Sequence, residues 1–279
     1  MIEIHHARPP ERDSAEELWR FAFGDGPELQ REFYRLCAPE GPLVLLEDGE
    51  LRSALALPRV SMILADGRRL RAGYVYALAT CPGFGGQGWA STLLQCAAGL
   101  ARDWGLDCLI TVPEPSSLFA FYEKNGFRPG FYLRNITAQP VPAPAVPVSP
   151  AEYNTLREQL LSSRAHVSCT EGQIAFQQYL CGLSGRPGGG LYRLELAHGP
   201  GCAAVESLER PVVKELLCAP EDVERGAAAC AALCGAPVTA RFPSDAADGT
   251  PFGAIRWLEG TPASIRSKAG EGWLGLAFD

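Results

Sequence analysis

The stretch that decides the fold runs Tyr76-Ala-Leu-Ala-Thr-Cys-Pro-Gly-Phe-Gly-Gly-Gln-Gly-Trp-Ala-Ser-Thr-Leu-Leu94. It reads as a strand, a glycine-rich turn and the start of a helix. From Trp89 to Trp104 apolar residues recur at 89, 93, 94, 97, 100, 101 and 104, close to helical period, and Gly105 stops the run. Glycines admit unusual backbone dihedrals and let a ligand approach the chain closely. A helix N-terminus offers free N–H groups and the positive end of the helix dipole. Together these features suit a phosphate or pyrophosphate.

On the N-terminal side, residues 1–6 read as a short strand. Asp13 or Ser14 is placed to cap a helix running through Leu18, Trp19 and Phe21 to about Phe23, and a second helix covers Glu28 to Leu36. Three strand signals follow. Pro42 to Glu47 ends at Asp48-Gly49, Leu51 to Ile63 ends at Asp66-Gly67, and Leu70 to Thr80 leads into the glycines. The two Asp-Gly pairs make this an antiparallel meander. On the C-terminal side, Asp107 to Val112 is a buried strand. Ser116 or Ser117 caps a helix through Phe121 and Tyr122, which stops at Gly126, and Phe127 to Ile136 is another strand. This half is α/β (α+β), with a mixed, mostly antiparallel sheet flanked by helices.

A length of 279 residues suggests two domains at roughly 100–200 residues each. The stretch 138–150 (AQPVPAPAVPVSP) holds five prolines, which fix φ and remove donors, so it reads as an extended linker or edge segment. Domains are therefore expected at 1–137 and 151–279. The second half begins with helices at about 151–163 and 171–182. Strands follow at 190–197, 201–207, 212–218 and 251–258, a helix at Pro220 to Cys234, and a terminal strand at 273–278. Its element order echoes the first half.

Bulk composition excludes several classes. Net charge is −7, whereas sequence-independent nucleic-acid binding needs a basic surface. An acidic protein also suits a cationic substrate. Ten cysteines contain no CxxC pair, the nearest being Cys230-x-x-x-Cys234, and four histidines show no metal-ligand spacing. Cys96, Cys108 and Cys218 lie in apolar runs, where a thiol acts as a small hydrophobe. Reduced thiols, no metal and a cytoplasmic protein are expected. The start MIEIHHARPPERD lacks a signal-peptide pattern, and no run of about 18 apolar residues could span a membrane.

The glycine loop allows more than one ligand reading. Gly83, Gly85 and Gly88 match G-x-G-x-x-G, with Glu114 near the place of a ribose-binding acid, which would make NAD the ligand. That reading requires an alternating parallel sheet, whereas this run follows a meander. Thr80-Cys81-Pro82 also separates strand and glycines too far for the tight turn. A glycine-rich turn with no ligand is the plain alternative.

The same stretch resembles motif A of the GNAT family of N-acetyltransferases, Gln/Arg-x-x-Gly-x-Gly/Ala after a strand. Gly88 and Ala90 fit the last two positions, and Gly85 stands where Gln or Arg is usual. The resemblance implies that backbone N–H groups across Gly85, Gly86, Gln87, Gly88, Trp89, Ala90 and Ser91 hold the coenzyme A pyrophosphate. It implies that Leu78, Ala79 and Thr80 pair with the pantetheine arm. Phe121-Tyr-Glu-Lys-Asn-Gly-Phe127 looks like a second family segment, whose tyrosine sits beside the thioester sulfur and protonates or holds the departing thiolate. Tyr122 inherits that place; read alone, it is a core tyrosine whose hydroxyl finds a structural partner. The opening Ala7-Arg-Pro, Glu17-Leu-Trp and Phe23-Gly-Asp25 is also similar to bacterial members.

Acetyl-CoA as co-substrate, and an amine acceptor attacking the thioester directly, follow from the resemblance. An amine with a pKa near about 10 must lose a proton first. Glu114 is the first candidate for that base; a solvated loop acid and a water chain are the other readings. Cys81 is read as structural. Family members often assemble, so a homo-oligomer is consistent. The acceptor is open among aminoglycosides, polyamines, amino acids, peptide N-termini and lysines. A non-catalytic acyl-CoA-binding regulatory protein is the alternative function.

The second half resembles a degenerate GNAT-like domain. Pro211 to Cys218 would be its pantetheine strand, and Ala219-Pro-Glu-Asp-Val-Glu-Arg-Gly226 carries three acids and one glycine, which would repel a pyrophosphate. The arrangement is similar to tandem acetyltransferases of the enhanced-intracellular-survival type. In those the terminal carboxylate reaches the active site, which would carry over to Asp279.

Overall fold

The computed structural model describes residues 1–268 and 272–278. The chain opens with β1 (Ile2–His6), α1 (Pro9–Phe23) and α2 (Pro27–Leu36). Strands β2 (Leu43–Glu47), β3 (Glu50–Ala56), β4 (Arg59–Ile63), β5 (Arg69–Tyr74) and β6 (Tyr76–Thr80) follow, then α3 (Trp89–Asp103), β7 (Cys108–Thr111) and α4 (Phe119–Lys124). After β8 (Arg128–Ala138) and β9 (Ala145–Pro147) come α5 (Pro150–Leu160), β10 (His166–Ser168) and α6 (Glu171–Gly182). The chain continues with β11 (Gly190–Leu196), β12 (Gly199–Glu206), β13 (Val212–Leu217), α7 (Val223–Cys234), β14 (Val238–Pro243), β15 (Thr250–Trp257) and α8 (Ala263–Lys268).

Several boundaries differ from the sequence reading for local reasons. Helix α1 starts a turn before Asp13, because Pro9 and Pro10 occupy its first turn, where a missing N–H costs nothing. Glu11 completes that end by accepting the Arg8 N–H at 2.7 Å. The run Leu51 to Ile63 breaks at Leu57-Pro58. The run Leu70 to Thr80 breaks at Val75, whose N–H goes instead to the Ile110 carbonyl at 2.8 Å. Neither Ser116 nor Ser117 caps α4; a 3-10 turn over Ser116–Leu118 leads into it.

Two compact units divide the chain. The first holds Met1–Ser61, Leu70–Pro129 and Gly253–Arg266; the second holds Met62–Arg69, Gly130–Phe252 and the described residues from Ser267 on. In the first unit β1, β2, β3 and β6 form an antiparallel sheet in that order. Helix α3 packs Leu93, Leu94 and Ala97 on one face, against Leu43, Leu45, Leu55 and Leu57. On the other face, α1 sets Ala15 and Leu18 against Val44, Leu46 and Ala54. Both faces of β2 are thus covered, which is why Leu-Val-Leu-Leu is apolar without alternation. Each such leucine contributes about 1.5–3 kcal/mol on burial. Strand β7 pairs parallel with β5 and antiparallel with β15.

The second unit repeats the element order of the first: two helices, a meander, then strand, turn, helix and strand. Its strands run β8-β14-β13-β12-β11-β9, and only the β13–β14 pair is parallel. The proline-rich stretch supplies β9 at the outer edge, against β11, where proline forfeits no ladder bond. Its core contains a buried polar knot. Glu215 of β13 accepts from the Tyr153 hydroxyl at 3.1 Å, from Arg157 Nε and Nη2 at 2.7 and 3.1 Å, and from Trp273 Nε1 at 2.7 Å. Trp273 lies in the buried segment 272–278. That segment was expected as a strand; it makes isolated parallel bridges, from Gly272 to Phe131 and from Trp273 to His166. Asp279 falls outside the described residues. All ten cysteines are free.

Candidate active site

Strand β6 is the last in its sheet, so its second edge faces no strand of that sheet beyond Val75. Its pairing with β3 slips between Ala54 and Ala56, so Ala77 and Leu78 together oppose one residue of β3. Ala77 takes φ +49, a left-handed conformation that a non-glycine residue adopts only at a cost. The bulge interrupts the ladder with β3 at Ala77 and Leu78, on a strand whose other edge no strand of this sheet covers, while Ser53 of β3 donates to the Ala79 carbonyl at 2.6 Å.

Beyond Thr80, the Phe84 N–H bonds the Cys81 carbonyl at 3.1 Å and starts the glycine turn. Gly83, Gly86 and Gly88 all have positive φ, between +75° and +89°, which explains glycine there. A Cβ at Gly83, Gly85, Gly86 or Gly88 would meet no protein atom within 4 Å, so the loop borders open space. Gln87 folds back onto the Gly83 carbonyl at 3.3 Å and receives Trp89 Nε1 at 3.4 Å. Gly88 stands at the N-terminus of α3 with no side-chain cap, and the first turn holds no acid. The N–H groups of this turn, through Ala90 and Ser91, therefore have neither a capping oxygen nor a negative neighbour. Backbone donors left so suit an anion. Gly85 removes a side chain from this site and leaves its donors in place.

Tyr122, from α4, is 7% exposed. Its ring packs edge-on against Phe121 and Phe127, at 5.2 and 5.4 Å between centroids. Burial pushes its hydroxyl pKa above the ordinary tyrosine value, opposed by a hydrogen bond with Thr111. Thr111 in turn donates to the Val75 carbonyl at 3.0 Å. Thr111 thus ties the end of β7 to the residue preceding β6. The phenol is protonated at neutral pH and can donate a proton.

Glu114 lies exposed in the loop after β7, and no described residue bonds its carboxylate. Thr111 links β7 to the residue before β6, and Glu114 lies exposed in the loop that follows Thr111. Sequence reasoning missed Thr111, whose role depends on a contact between strand and helix that no spacing reveals. It also missed Arg52. That guanidinium lies 4.2 Å from the Phe84 ring centre and pairs with Glu47 at 3.0 Å, so it braces the turn from β3. Cys81 has its thiol pKa pushed up by burial and is a poor nucleophile. Among the described residues no cluster could hold a metal ion, and no helix is long and apolar enough to cross a membrane.

Residues 3–130 match the family model for the acetyltransferase (GNAT) domain. This part of the chain is a GNAT-type acetyltransferase domain. Solved structures extend the likeness of fold over both units. A GCN5-related N-acetyltransferase from Kribbella flavida is 15% identical with a TM-score of 0.70, covering 96% of this chain and 74% of its own. A conserved protein of unknown function from Enterococcus faecalis V583 is 14% identical with a TM-score of 0.70, covering 93% and 73%. Eis1 from Mycobacterium abscessus is 12% identical with a TM-score of 0.64, covering 92% and 73%. No curated protein sequence matches the chain.

Proposed function

We propose that the protein transfers an acyl group from acetyl-CoA to an amine by direct attack, with the chemistry in 1–137 and a non-catalytic GNAT-like domain at 151–279 joined through 138–150. The uncapped, acid-free N-terminus of α3 beneath the glycine turn carries this reading, because it suits a pyrophosphate and nothing inside the protein fills it. The pantetheine arm would lie along the open edge of β6 at Leu78 to Thr80. The amine nitrogen attacks the thioester carbonyl, the N–C bond forms and the C–S bond breaks. Tyr122 gives its proton to the departing thiolate, and the proton shed by the amine returns through water to the phenolate. Glu114 is proposed as the first acceptor on that route, passing the amine proton on through water to the phenolate. Free thiols support a cytoplasmic setting.

Calorimetric titration of the purified protein with acetyl-CoA, with NAD as control, tests the reading. Micromolar binding of acetyl-CoA, lost in Gly88→Trp, is expected. Binding of NAD alone, or of neither, would overturn it.

A further inference from the structure

Strand β3 carries an irregularity beside the glycine turn. Its pairing with β2 shifts between the Leu45–Ser53 rung and the Leu46–Leu51 rung, so Arg52 has no partner on β2. An extra residue of this kind bends its strand and re-aims its own side chain. Here the side chain goes to the turn. The Arg52 guanidinium lies 4.2 Å from the Phe84 ring centre, and Glu47 fixes its orientation by accepting from Nε at 3.0 Å. The Arg52 backbone serves the same turn. Its carbonyl accepts the Cys81 N–H at 2.9 Å, and the Cys81 carbonyl accepts the Phe84 N–H at 3.1 Å. All of these residues belong to the first unit.

The turn itself is poorly anchored. Across 82–88, Phe84 is half-buried and every other residue is exposed. Gly83, Gly85, Gly86 and Gly88 fill most of that stretch, and glycine loses more conformational freedom on ordering than any other residue. Gln87 bonds the Gly83 carbonyl at 3.3 Å, which ties the turn to itself and not to the sheet. Phe84 is therefore the side-chain link from the turn to β3, with Arg52 as its partner. A guanidinium is attracted to an aromatic face, and its planar fork keeps the Glu47 pair at the same time.

On the reading that this turn binds acetyl-CoA, we propose that Arg52 is a positioning residue for the cofactor. Acting through the Phe84 ring, it holds the glycine turn in the shape that presents backbone N–H groups to the pyrophosphate. A loose turn must be ordered when the ligand binds, whereas a held turn is ordered in advance, which favours binding.

Two quantities test this in the full chain: backbone order parameters across 83–88 from nitrogen-15 relaxation of the ligand-free protein, and acetyl-CoA affinity by calorimetry. Arg52→Gln and Phe84→Leu should each lower the order parameters. Each should also weaken acetyl-CoA about fivefold, the scale of one cation–π contact. The double variant should bind no worse than either single one, because guanidinium and ring act as a unit. Phe84→Tyr keeps the ring and should hold affinity within about twofold. A further loss of about fivefold on adding Arg52→Gln to Phe84→Leu would overturn the proposal, since the charge would then act on the ligand directly. If the unmodified protein does not bind acetyl-CoA, the cofactor reading fails and the positioning role with it. If it binds, and order parameters or affinity are unmoved in both single variants, the positioning role alone is overturned.

Discussion

The two strand–turn–helix crossings of this chain share a plan and differ in chemistry. In the first, β6 is made of small and apolar residues, the turn from Cys81 to Gly88 carries four glycines, and α3 begins without an acid. In the second, β13 carries the buried Lys214 and Glu215, the turn Ala219-Pro-Glu-Asp222 has no glycine, and α7 bears Glu224 in its first turn. Asp222 is spent within the fold, accepting the His198 N–H at 2.8 Å. The first crossing leaves the start of its helix without a side-chain cap or an acid. The second uses its polar groups to hold the protein together. One scaffold thus supports a binding edge or a structural core, depending on which groups are left unsatisfied.

The largest effect expected from breaking this contrast lies in the second unit. Arg157→Met strands the Glu215 carboxylate in the core and should cost about 3–5 kcal/mol of stability by urea unfolding. A loss under about 1 kcal/mol would show that the knot does not hold β13. Next, Ala90→Glu gives α3 the acid that α7 carries. Acetyl-CoA affinity should fall up to about 100-fold, or about 2.7 kcal/mol, and partly recover in high salt. An unchanged Kd would mean that the helix N-terminus does not meet the pyrophosphate.

Tyr122→Phe sharpens the difference between binding and chemistry. The rate constant should drop by about 100-fold while acetyl-CoA affinity stays within a few-fold. If a measurable acyl-transfer rate were untouched, the phenol would be a packing residue. The smallest effect belongs to Thr111→Val, expected to slow turnover a few-fold. Burial raises the hydroxyl pKa of Tyr122, and the protonated phenol is the working form, so the alkaline fall of rate should begin above about pH 10 in the unmodified protein. A fall beginning well below that pH would contradict a buried phenol as the proton donor.

Much of the first unit was legible in the sequence because its signals are local. The period of Trp89 to Trp104 gave α3 to within a residue, and Gly83, Gly86 and Gly88 stand where φ is positive. Legibility failed where structure depends on distant partners. Val75 ends one strand and begins another because Ile110, far along the chain, takes its N–H. The short strands β10 and β14 escaped notice, since neither His166-Val-Ser nor Val238-Thr-Ala-Arg-Phe-Pro alternates enough to stand out from loop. Of the candidate site, glycine turn and tyrosine were readable as residue types at a spacing. The bulge at Ala77 and the Thr111 contact were not, because both arise from register and packing.

By itself the sequence determined the helical periods, the places where only glycine fits, the charge balance and the α/β order of both halves. These depend on residues near one another, through backbone sterics and amphipathic patterning. Only the tertiary structure decided which polar groups remain free. Glu215 and Glu224 are the same residue type nine positions apart, yet one is saturated by Tyr153, Arg157 and Trp273 and the other faces an open crevice. A side chain's chemistry is fixed by its identity, but its availability is set by the partners that folding brings to it.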